Sequence, residues 1–95
     1  MRLPIKDREI REIAVSLLNE IRRHKRKIYT ESTQITSPNV SRALGELMAL
    51  DMVSPFVFLG EVNFRLTKKG LAFILGIEES EIQTDSYGYV SYWRD

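Results

Sequence analysis

The sequence predicts an α+β domain, mainly α, with three to four helices and one two-stranded β-hairpin. Three observations predict it. Ile10, Ile13, Ala14, Leu17, Leu18 and Ile21 follow the i, i+3, i+4, i+7 spacing of an amphipathic helix. Ser37-Pro38 opens a second helical stretch, because serine caps a helix and proline is preorganised for its first position. Two short alternating apolar runs, at 52–58 and 62–66, then flank a glycine, which is the pattern of a hairpin.

Taken in order, Leu3-Pro4 starts extended, since the residue before proline is pushed out of the helical region. A helix of roughly 16–18 residues is expected to begin near Asp7, with Arg8, Glu9, Arg11, Glu12, Glu20 and Arg22 on its polar face. Arg22-Arg23-His24-Lys25-Arg26-Lys27 follows. Cations oppose the negative end of a helix dipole, which accounts for part of this run. Five charges exceed what one helix end needs, and Arg23, Lys25, Arg26 and Lys27 read as a phosphate-contacting patch. His24, the single histidine, has no second one to pair with and reads as a solvated ring.

Residues 28–36 are polar, with Ile28, Tyr29 and Ile35 as anchors, and Thr30 is placed to cap a short helix over 31–35. In the helix from Ser37, Val40, Ala43, Leu44, Leu47, Met48 and Leu50 form the apolar stripe, while Asn39, Arg42 and Glu46 point outward. Asp51 ends it, being tolerant of a left-handed turn. In the hairpin, Phe56 and Phe58 alternate with Val57, and Val62, Phe64 and Leu66 alternate with Asn63 and Arg65. Leu59-Gly60-Glu61 connects the strands, and Pro55 marks the first as an edge strand. Thr67 is expected to cap a helix over Lys68–Leu75 that Gly76 ends. Residues 1–76 thus form the main domain. The tail, 77–95, has an acidic turn at Glu78, Glu79 and Glu81, then Tyr87, Tyr89, Tyr92 and Trp93. Those rings are expected to pack on the first helix of the same chain or, as interface anchors, on a partner subunit.

Composition bounds the function. Ninety-five residues, 43% apolar, make one domain with a modest core, for which oligomerisation is a common remedy. No run approaches the roughly 18 apolar residues of a membrane span, and Met1-Arg2-Leu3-Pro4 lacks the apolar core of a signal peptide. With no cysteine there is neither a disulfide framework nor a thiolate metal site, and a cytoplasmic setting is expected. The net charge is only +1, but residues 1–45 hold 10 Lys/Arg against 5 Asp/Glu, and residues 46–95 hold 4 against 8. Such polarity can orient a protein on a polyanion. No glycine-rich phosphate loop, metal-ligand spacing or nucleophile with a placed base is legible, so no enzyme, metal or cofactor is expected.

Val40-Ser41-Arg42-Ala43-Leu44, Leu47, Leu50-Asp51-Met52-Val53 and Leu66-Thr67-Lys68-Lys69-Gly70 stand in an order that resembles winged helix-turn-helix domains of the MarR-like and PadR-like type, and those of small archaeal plasmid or virus proteins. The resemblance covers about 70 residues and implies a helix from Ser37 that enters the major groove of double-stranded DNA. It puts Asn39, Ser41 and Arg42 in base-facing or phosphate-facing positions, Ser37 at a phosphate, and Thr33 and Gln34 in the supporting element just ahead. Asparagine suits adenine and arginine suits guanine. The wing tip carries no basic residue, so Arg65, the only cation on the hairpin, is the wing residue that the resemblance leaves to contact DNA phosphate. The implied function is a small homodimeric transcriptional regulator without a small-molecule effector. Alternatives are a plasmid-partition or replication-origin DNA binder, or a winged helix used for protein–protein interaction.

Overall fold

The computed structural model describes residues 2–23, 29–30 and 37–94, the pair 29–30 by its backbone only. Among these residues the chain folds as α+β. It comprises α1 (Arg8–Arg23), β1 (Tyr29–Thr30), α2 (Pro38–Ala49), β2 (Val53–Phe58), β3 (Glu61–Leu66), α3 (Lys68–Leu75), a 3-10 turn (Glu79–Glu81), β4 (Gln83–Thr84) and β5 (Val90–Ser91). No helix among them is long and apolar enough to cross a membrane.

The apolar period of α1 buries Ile10, Ala14, Leu17, Leu18 and Ile21 against α2 and the sheet. Asp7 begins the helix, its Oδ1 accepting the Ile10 N–H at 3.2 Å. The extended start does more than lead in. Leu3 and Ile5 are buried, and Arg11 donates to the Ile5 carbonyl at 2.9 Å, holding this segment against the core.

Ser37 occupies the N-cap of α2, but its hydroxyl makes no capping bond. Pro38, which has no N–H to satisfy, follows at the first helical turn. Ala43, Leu44 and Leu47 are buried, whereas Met48, expected in the stripe, is exposed near the helix end. Asp51 takes φ 59°, its N–H bonded to the Met48 carbonyl and that of Met52 to the Leu47 carbonyl. That pair of bonds is a Schellman stop, and it explains why an aspartate suffices where glycine is usual.

The hairpin turn is two residues long, Leu59 (φ 52°) and Gly60 (φ 79°), with Glu61 already opposite Phe58 in β3. Two consecutive positive φ values make a type I′ turn, whose twist matches that of the strands. β1 pairs antiparallel with β3, Tyr29 opposite Phe64 and Thr30 opposite Asn63. The sheet order is therefore β1-β3-β2. No local sequence signal marks β1; the helix expected over 31–35 lies outside the described residues. Central placement of β3 also overrides its expected alternation, because Asn63 is only 3% exposed while Val62 faces solvent. The Asn63 amide donates to the Glu61 carbonyl at 3.0 Å, so burial leaves it satisfied.

Thr67 joins the hairpin to α3. Its Oγ1 accepts the Gly70 N–H at 3.0 Å and donates to the Asp51 carbonyl at 2.5 Å, tying the start of α3 to the end of α2. Thr67→Val keeps the shape and removes both bonds. It is expected to lose about 1–2 kcal/mol in a thermal or denaturant melt. Gly76 (φ 68°) ends α3.

The tail is integral to the core. Ile82 is buried, and the β4–β5 ribbon brings Val90 and Tyr92 against the same cluster.

Candidate nucleic-acid interface

The N-terminal turns of α1 and α2 lie side by side, so the polar start of α2 meets the acids that open α1. Asn39 donates from Nδ2 to Glu9 Oε1 at 3.2 Å. Arg42 Nη1 lies 3.6 Å from Asp7 Oδ2, with 59% of the Arg42 side chain still in solvent. Ser41 is exposed and Ser37 half-buried on the same end of the helix. Ser37 at the cap and the three α2 residues named from the sequence are therefore clustered. Their two strongest hydrogen-bonding groups already hold carboxylate partners, a feature without a local sequence signal, since Asn39 and Glu9 are 30 positions apart.

Arg23 stands at the opposite end of α1, roughly 20 Å along the helix axis from Glu9 at 1.5 Å per residue. It pairs with Glu20 one turn earlier. Both partners are at the surface, so the pair is worth little to stability and yields to a competing anion. Lys25, Arg26, Lys27, Thr33 and Gln34 lie outside the described residues.

Arg65 is placed differently from its expected role as a wing cation. Its Nη1 donates to the Tyr87 carbonyl at 2.8 Å, and its guanidinium lies 4.9 Å from the Phe56 ring centre and 5.5 Å from that of Tyr89. Phe56 and Tyr89 themselves meet edge to face at 6.1 Å. A planar, weakly hydrated cation suits a site between rings. Gly88 (φ 88°) makes room for it, since a Cβ there would stand 2.9 Å from the guanidinium. Arg65 thus clamps the tail onto the base of the hairpin. The aromatic tail accordingly packs first on the sheet: Tyr89 is in this stack, Tyr92 is half-buried, and Tyr87 and Trp93 are exposed.

Between the C-terminal half of α1 and the returning tail lies an open groove of about 820 Å³. The half-buried Val90 and Tyr92 contribute its accessible apolar lining, over the buried Ile21, Leu66 and Leu71, and Arg22, Arg23 and Arg65 its cations. Among the described residues no group of three or more His, Cys, Asp or Glu side chains is placed to hold a metal ion.

Comparison of the chain with family models, with curated proteins and with solved structures finds no match.

Proposed function

We propose that the chain is a winged helix-turn-helix protein that binds double-stranded DNA sequence-specifically, a small homodimeric transcriptional regulator with α2 in the major groove. The observation that carries the reading is the solvent-facing start of α2. There Ser37, Asn39, Ser41 and Arg42 share one helix end, on a helix braced across α1 and followed directly by the β2–β3 hairpin. Asparagine and arginine can each bond a base edge in a bidentate fashion. Arg23, roughly 20 Å away along α1, would reach backbone phosphate on the flank of the same groove, which is about 12 Å wide. Partition or origin binding is the same chemistry on a different target.

Asp7 and Glu9 set the conditions of binding. They hold Arg42 and Asn39 in place but compete with the DNA for them. Arg42→Ala is expected to weaken specific binding by about 1–3 kcal/mol and to relax preference at one base pair. Asp7→Asn retains a capping oxygen for the Ile10 N–H while removing the charge beside Arg42, and should tighten binding. The measurement is fluorescence anisotropy on selected and random duplexes across a salt series. Affinity should fall steeply with salt as counterions are released. An Arg42→Ala variant that binds like the parent, on any duplex, rejects the assignment.

A second reading, a winged helix that binds protein, is favoured by the exposed apolar hairpin tip and by Glu61 beside it. It predicts no duplex binding even at low salt, and partner binding that varies little with salt.

A further inference from the structure

The hairpin ends in side chains that water does not favour. Val57 is 72% exposed and Leu59 87%, with Phe58 and Val62 exposed beside them. Leu59 also sits at φ 52°, the first central position of a type I′ turn, where asparagine or glycine is the ordinary occupant. An exposed leucine in left-handed backbone serves neither solubility nor the turn, and its apolar side chain calls for a covering surface.

The groove between α1 and the tail offers the complementary surface. The half-buried Val90 and Tyr92 supply accessible apolar lining over a floor of the buried Ile21, Leu66 and Leu71, and Arg22, Arg23 and Arg65 outnumber the one acid there, Glu20. Glu61 adjoins the tip.

We infer that the hairpin tip of one copy seats in this groove of a second copy, and reciprocally, so that two tip-in-groove contacts build the dimer. Reciprocity closes the assembly on a two-fold axis and prevents open-ended growth. Two such contacts double the apolar surface that one tip in one groove removes from water, towards the roughly 1,200–2,000 Å² that stable specific interfaces bury. Extension of the sheet through β2 is the competing dimer, and Pro55 opposes it. Counting alternate pairs from Phe58–Glu61, the Pro55 nitrogen faces the open edge, where it has no N–H to give. Insertion of the tip into DNA is opposed by Glu61, which would set a carboxylate against phosphate.

The inference supplies a contact surface for the proposed dimer and is tested without DNA. Sedimentation equilibrium of the full chain should show twice the 11.1 kDa protomer mass. Leu59→Asn suits the turn better than leucine, so its melting temperature under monomeric conditions should hold or rise, while its dimer dissociation constant rises at least ~10-fold. The sequence has no cysteine, so introduced thiols report unambiguously. Leu59→Cys chains mixed with Ser16→Cys chains, the latter carrying a groove position, should form a disulfide between the two variants. A monomeric parent overturns both the dimer and its seat. A dimer indifferent to Leu59→Asn, or one cross-linked only Leu59→Cys to Leu59→Cys, keeps the dimer and overturns the seat. A Leu59→Asn dimer of undiminished affinity that bends or binds duplex less than the parent moves the tip to DNA and overturns it as well.

Discussion

Gly70→Ala is expected to destabilise the fold by at least about 3 kcal/mol, because the new methyl has nowhere to go. A Cβ on Gly70 would stand 2.1 Å from the Met52 carbonyl oxygen and 3.0 Å from its carbon. Both are backbone atoms, so no rotamer change relieves the overlap. The same carbonyl accepts the Thr67 N–H at 3.1 Å, and Thr67 in turn caps α3 and bonds Asp51. Moving Met52 away from the methyl breaks that set together and withdraws the buried Met52 and Val53 from the core. For a domain of this size the melting temperature should fall by more than about 12 °C. Gly45→Ala is the matched control. Gly45 lies inside α2 with nothing within 4 Å of its absent Cβ. Alanine there should stabilise by about 0.5–1 kcal/mol through helix propensity alone. Melts of the two variants with shifts of the same sign would refute the packing argument.

Arg65→Ala should cost about 2 kcal/mol, the sum of one charged hydrogen bond and a shared ring stack, both discounted for partial exposure. The signature is local. Amide exchange over 85–91 should quicken, because Asp85 and Tyr89 keep their own turn while the ribbon loses its tether to β3. Arg65→Lys keeps the charge but lacks the planar fork, and should behave nearly as Arg65→Ala. Unaltered exchange together with weakened DNA binding would return Arg65 to the phosphate-contacting role that its place on the hairpin suggested. Comparing the two readouts separates a clamp from a wing contact in one variant.

These two sites also mark how far the sequence could be read. Gly70 belonged to a recognisable Leu-Thr-Lys-Lys-Gly run, yet the run alone did not say what glycine is for. The reason is a carbonyl 18 positions earlier. Arg65 is legible as the lone hairpin cation, which is a local fact, but its partners Tyr87 and Tyr89 arrive from the tail. The aromatic tail was legible as a segment that must pack, not as one that would pack on Arg65. Asn39 and Arg42 were legible as outward-facing. Their engagement by Glu9 and Asp7 was not, and under the proposed DNA-binding function it changes the expected response to mutation from simple loss to a competition between carboxylate and phosphate.

The sequence by itself determined the extents of α1, α2 and α3, the stop at Asp51, the cap at Thr67 and the glycine end at Gly76. Each depends on residues within a turn or two, where apolar period, capping chemistry and allowed φ act directly. Only the tertiary structure decided that β1 joins β3 and makes it the central strand, that Asn63 is buried, that Leu3 and Ile5 enter the core, and that the acids opening α1 face the start of α2. Those outcomes depend on which surfaces meet when the elements pack. Periodicity states which face of an element is apolar, but not which distant polar group will stand against the other.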